Sequence, residues 1–88
     1  MTLELSLPIL KMIFHKYREA VRKYINGEDP LPELKEVIDY LEHMLKINIG
    51  EIKDWFIDAE GCQLKCTKKT IIIDALNQTI HVLDEVYV

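Results

Sequence analysis

The sequence predicts an α+β domain: an N-terminal antiparallel helical hairpin packed on a C-terminal antiparallel β meander of three or four strands. Three observations carry this. Up to Ile47 the apolar residues recur every three or four positions, which is the helical period. After Gly50 they alternate every second position, which is the strand period. Asn26-Gly27, Asp29-Pro30 and Gly50 fall between these runs and punctuate them. A chain of 88 residues, 49% apolar, has the size and content of one domain over residues 1–88. The hairpin is expected over about residues 7–48 and the meander over about residues 52–88.

The first helix is expected from about Leu7 to Ile25. Leu10, Ile13, Phe14, Tyr17, Val21, Tyr24 and Ile25 fall on one face. Ser6 is the N-cap candidate, and Pro8 is tolerated in the first turn, where backbone N–H groups lack partners. Asn26-Gly27 stops the helix, since both residues accept the left-handed cap conformation. The second helix is expected to open with Asp29 as cap and Pro30 in the first helical position. Its stripe is Leu34, Val37, Ile38, Leu41 and Leu45, running to about Ile47 with Asn48 or Gly50 as the stop. The short link from Asn26 to Asp29 makes the two helices antiparallel neighbours.

Strand character follows in Trp55, Ile57 and Ala59, in Cys62, Leu64 and Cys66, in Ile71, Ile73 and Ala75, and in Ile80, Val82, Val86 and Val88. Turn signals stand at Glu60-Gly61, Lys68-Lys69 and Asn77-Gln78. Glu51–Asp58 reads as a strand or as a short helix. Leu3 and Leu5, alternating with Glu4, suggest a short additional edge strand.

Composition narrows the function classes. Three Gly, three Pro and one Ser exclude a linker-rich or low-complexity chain. No apolar run approaches the ~20 residues of a membrane-spanning helix. The opening Met1-Thr2-Leu3-Glu4-Leu5 lacks the basic region of a signal peptide, so a cytoplasmic location and no membrane association are expected. The net charge of −4 makes nucleic acid an unlikely main partner. Cys62 and Cys66 lie ~13 Å apart along an extended strand, beyond disulfide reach, and are expected to be reduced core thiols.

Five features bear on function. The strand pattern leaves an outer sheet face of Asp54, Phe56, Asp58, Gln63, Lys65, Thr70, Ile72, Asp74, His81, Leu83, Glu85 and Tyr87. A solvated face is mostly polar, and Phe56, Ile72, Leu83 and Tyr87 break that rule. They form an apolar patch rimmed by polar groups, the mark of a contact surface. The competing reading is that single apolar residues on a sheet surface are ordinary. Second, Val86-Tyr87-Val88 ends the chain in an apolar strand that is either an open edge for a partner or part of the core. Third, Lys11, His15, Arg18 and Arg22 line one face of the first helix at steps of four, three and four. This basic stripe is the alternative site, for a phosphate backbone, against simple pairing with the acidic second helix. Fourth, Cys62, Cys66, His43 and His81 lack the spacing of a zinc site, so no metal and no cofactor is expected. Fifth, Asp54 and Asp58, or Asp58 and Glu60, could form a carboxylate pair, but no nucleophile–base arrangement, phosphate loop or HExxH motif occurs, so no catalytic residue is assigned; His81 is the best single acid–base candidate and is better read as a contact histidine.

The expectation is therefore a small non-catalytic interaction or regulatory protein, a homodimer, that meets a protein partner through the outer sheet face and the C-terminal strand. Phe56, Ile72, His81, Leu83 and Tyr87 are the binding residues.

Overall fold

A computed structural model describes residues 5–84. They form two helices, α1 (Leu7–Ile25) and α2 (Leu31–Leu45), followed by four strands, β1 (Ile52–Asp58), β2 (Gly61–Cys66), β3 (Thr70–Asp74) and β4 (Thr79–Leu83). The layout is α+β, with the helices N-terminal and the antiparallel meander C-terminal. The described chain divides into two compact units, a helical unit over Leu5–Ile47 and a sheet unit from Asn48 onward.

In the helical unit, α1 has the expected bounds. Ser6 occupies the N-cap with extended backbone, and its carbonyl accepts from Leu10 N at 3.0 Å. Its hydroxyl makes no capping hydrogen bond, so the cap acts through backbone geometry alone. Gly27, at φ +78°, turns the chain out of the helix, and Glu28 N closes the turn on Lys23 O at 2.8 Å. Asp29 Oδ1 accepts from Leu31 N at 3.0 Å, so Asp29 does satisfy a free donor at the start of α2. The helix begins one residue later than expected, because the first helical carbonyl is that of Pro30, which accepts from Leu34 N.

The end of α2 corrects the sequence reading. The helix stops after Leu45, not near Ile47, and the residue that ends it in the left-handed conformation is Lys46 at φ 54°; Gly50, also at positive φ, lies four residues beyond. Beyond this stop Ile49 occupies a fully buried position.

Ile13, Phe14, Tyr17 and Ala20 of α1 and Leu34, Val37, Ile38 and Leu41 of α2 are buried. Phe14 and Tyr17 meet edge to face, with centroids 6.4 Å apart. Tyr24 and Ile25, counted in the expected stripe, are exposed, and Ala20 carries the buried face instead. The helices run antiparallel: Lys16 reaches Glu36 and Lys23 reaches Glu33, each at 2.6 Å, so the register rises on one helix as it falls on the other.

In the sheet unit the strand order is β1-β2-β3-β4, every neighbour antiparallel. Glu51–Asp58 resolves as strand rather than helix: Trp55 pairs with Leu64 and Phe56 with Gln63. Ala59 falls in the β1–β2 turn instead of a strand, and Gly61 opens β2. Ala75, also expected in a strand, joins the four-residue turn before Thr79. Leu5 belongs to no strand. Leu3 and Glu4, and at the other end Glu85, Val86, Tyr87 and Val88, lie outside the described residues.

One sheet face is buried: Ile57, Cys62, Leu64, Cys66, Ile71, Ile73, Ile80 and Val82 all alternate onto it. Both cysteines are reduced and buried there, as expected, and burial pushes the Cys62 thiol up to about 12. Gly50, at φ +90°, is required where the chain enters the sheet. A Cβ on it would lie 1.8 Å from Thr67 Oγ1, the atom that accepts from Glu51 N.

Candidate functional site

The site is the other face of the sheet. Register sets its residues in three rows across the strands. The first row is Asp58, Gly61, Asp74 and Thr79; the second is Phe56, Gln63, Ile72 and His81; the third is Asp54, Lys65, Thr70 and Leu83. All but Gly61 and Thr79 are residues assigned to the outer face from strand alternation; register adds those two. Their parity follows from a side-chain period of two, which the antiparallel register preserves from strand to strand.

The first two rows, Thr79 excepted, floor a shallow open depression of about 580 Å³. Phe56, Ile72 and Leu83 supply apolar surface there, and Phe56 is 63% exposed. Leu76, from the β3–β4 turn, adds a further apolar side chain that is 72% exposed. The sequence reading missed Leu76 because a turn residue has no strand parity to place it. Of the assigned binding residues, Phe56, Ile72, His81 and Leu83 come together in this lining, while Tyr87 lies outside the described residues.

The rim is acidic. Asp58, Glu60 and Asp74 line the depression, and no lysine or arginine does. Two turns hold these carboxylates at one end of the sheet face. Asp58 Oδ1 accepts from Glu60 N at 2.8 Å and Gly61 N at 3.0 Å, which closes the β1–β2 turn. Asp74 accepts from Asn77 N at 3.1 Å and from Asn77 Nδ2 at 2.8 Å, which closes the β3–β4 turn. Ala75 N donates to Glu60 O at 2.9 Å and ties one turn to the other. Hydrogen bonds from Asn77 hold the Asp74 carboxyl below the usual aspartate range.

Gly61 lies between Asp58 and Asp74 in the first row, and a Cβ there would meet Ile73 O at 2.1 Å. Only glycine fits that approach of β2 to β3, because the Ile73 carbonyl oxygen fills the space a side chain would take. His81 Nε2 lies 3.2 Å from Thr79 Oγ1, a same-face pair on β4.

Among the described residues β1 and β4 form the two sheet edges. The β1 edge is irregular, with a register shift between Ile52 and Asp54, and Asp54 Oδ1 accepts from Trp55 N at 2.9 Å. Such irregularity discourages strand addition on that side.

The alternative site is on the helical unit. Lys11, His15, Arg18 and Arg22 are all exposed on α1. Pairing with the acidic helix engages Lys16 and Lys23, which are not part of the stripe. Within the stripe, His15 meets Glu19 at 2.9 Å. Among the described residues no group of three or more His, Cys, Asp or Glu is placed to hold a metal ion, and His43, Cys62, Cys66 and His81 are not brought together as one. No helix of the described residues is long and apolar enough to cross a membrane.

Compared with protein-family models, curated proteins and solved structures, the chain matches none.

Proposed function

We propose that this is a small non-catalytic interaction or regulatory protein of the cytoplasm, homodimeric, that contacts its protein partner through the Phe56 face and the C-terminal strand. The observation that carries the reading is the company Phe56 keeps. It stands well exposed beside Ile72, Leu83 and Leu76 around one depression, with a polar rim of Asp58, Glu60 and Asp74. Apolar centre and polar rim are the anatomy of a protein contact, and removing such side chains from water provides the driving force.

The test places Ile72 at the centre. Tagged wild-type protein and Ile72→Asp are cross-linked in cells, and the cross-linked species are identified by mass spectrometry. The reading requires an assembly, with another protein or a second copy, that Ile72→Asp abolishes while the variant stays folded by circular dichroism. An assembly indifferent to Ile72→Asp, or no assembly, sinks it.

A second reading is a nucleic-acid-binding module on α1, favoured by the exposure of Lys11, His15, Arg18 and Arg22. It requires binding to DNA or RNA that weakens steeply with salt and disappears in Arg18→Glu/Arg22→Glu. Absence of any mobility shift at low salt removes it.

A further inference from the structure

We infer that the acidic end of the Phe56 face takes a short basic segment of another protein, which sets an apolar side chain beside Phe56 and Ile72 and a lysine or arginine against the Asp58–Asp74 row. This rests on the reading of that face as a contact surface and names the chemistry of its occupant.

The charges of the face are sorted along the strands. Asp58, Glu60 and Asp74 line the depression, and among the described residues no lysine or arginine does. Lys65 shares the face but stands in the third row, in register with Asp54. It is four residues from Gly61 along β2, hence ~13.6 Å from the acidic row. Thr70, its neighbour on β3, is buried, so over the middle strands the open ground lies toward the acidic end. Asp58 and Asp74 are already fixed there by the hydrogen bonds that close their turns. A partner therefore meets charges that need no further ordering.

Charge decides between occupants. Nucleic acid and anionic lipid are repelled by this end of the face, and so is a second copy presenting the same carboxylates. A basic segment is attracted and oriented. Size decides as well. Four strands of about five residues span only ~19 by ~17 Å, less than half of the ~800 Å² that each partner gives a standard interface. That area is too small for a stable contact between folded domains but matches one helix of about 12 residues, ~18 Å long. The Phe56–Ile72 row and the acidic row are two residues apart on each strand, ~6.8 Å. Side chains three or four residues apart on a helix are neighbours at ~5–6 Å, and the long stem of lysine or arginine covers the difference. Phe56 and Leu76, 63% and 72% exposed, supply the apolar surface that the anchor removes from water.

Selection of random phage-displayed peptides of about 12 residues on the immobilised wild-type chain tests this, with binding of the sequenced peptides measured by fluorescence anisotropy. The recovered peptides carry lysine or arginine three or four residues from an aliphatic or aromatic residue. Asp58→Asn/Glu60→Gln/Asp74→Asn weakens them at least about tenfold, whereas Glu28→Gln/Asp39→Asn/Glu51→Gln, which removes three exposed carboxylates elsewhere, costs less than about twofold. Phe56→Ser weakens them about fivefold or more. Asparagine keeps the acceptors that close both turns, and circular dichroism checks that each variant folds. Recovery of no peptide, or of acidic or uncharged ones, overturns the inference, as does an equal loss in the two triple variants. A wild type that dimerises through Ile72 puts a second copy on the face and overturns it too. An Ile72-dependent partner in cells whose cross-linked segment lacks lysine and arginine also overturns it, while leaving the reading of the face intact.

Discussion

Lys23 Nζ lies 2.6 Å from Glu33 Oε1, joining α1 to α2 across the turn that separates them, while Glu33 Oε2 is buried without a hydrogen-bond partner among the described residues. The Glu33 side chain is only 11% exposed, and Lys23 is the ammonium that hydrogen-bonds it. The same contact holds the Lys23 amine above its usual range. Lys16–Glu36 spans the same helices, but Glu36 is 56% exposed and water can replace its partner.

The two pairs should therefore respond differently. Lys23→Met strands a mostly buried carboxylate and lowers the thermal midpoint by several degrees. Glu36→Gln leaves it almost unmoved. The double variant Lys23→Met/Glu33→Leu recovers most of the loss, since removing both partners also removes the unsatisfied Oε2. Thermal melts followed at 222 nm, the helical band, check the ranking; equal effects at both pairs would contradict it.

Acid should loosen the turn that edges the candidate site. The Asp74 carboxyl is held low by the Asn77 side chain first and by backbone N–H groups second. A depressed folded value adds stability above the ordinary aspartate range, and that stability is lost as pH falls through the depressed value. Carboxyl titration by NMR should find Asp74 below the ordinary value of about 3.9 and Asn77→Ala moving it upward. Asp84, held low by Lys69, loses its contribution in the same acid window. No movement in Asn77→Ala would show that the side-chain bond is not the dominant cause.

Gly50→Ala should destabilise the chain by roughly 2 kcal/mol or more, through a disfavoured positive φ and a collision with Thr67 Oγ1. Gly27→Ala is the control. It also has positive φ but meets nothing within 4 Å, so it costs only the backbone strain, about 1 kcal/mol. Urea midpoints at neutral pH separate them, and a Gly27→Ala loss as large as that of Gly50→Ala would remove the steric part of the argument.

Cys62 should be inert in the folded protein. Desolvation pushes its thiol up to about 12, so little thiolate forms near pH 8. Iodoacetamide labelling followed by mass spectrometry should leave Cys62 unmodified until urea unfolds the chain. Rapid native labelling would mean that this sheet face opens readily.

Much of the candidate site was legible before the structure. Phe56, Ile72, His81 and Leu83 share a face because each strand alternates strictly and turns its more apolar set to the core, which leaves these residues on the opposite side. Leu76 was not legible, because turn residues have no such period. The end of α2 was misplaced because Asn48 and Gly50 are the residues that prefer a left-handed stop. The chain instead puts Lys46 there, and Ile49 three residues on is fully buried.

The sequence alone determined the number and kind of elements, their approximate bounds and the two faces of each strand. These follow from local periodicity and from Gly, Pro and Asn at the breaks. Only the tertiary structure decided the strand order and the register. It is register that sets Gly61 between Asp58 and Asp74 and lines up Phe56, Gln63, Ile72 and His81. Register is a relation between segments, and a shift by two residues keeps every face intact while changing every neighbour. The sequence names the residues of the face; their spacing across it, on which any partner must act, comes from the folded sheet.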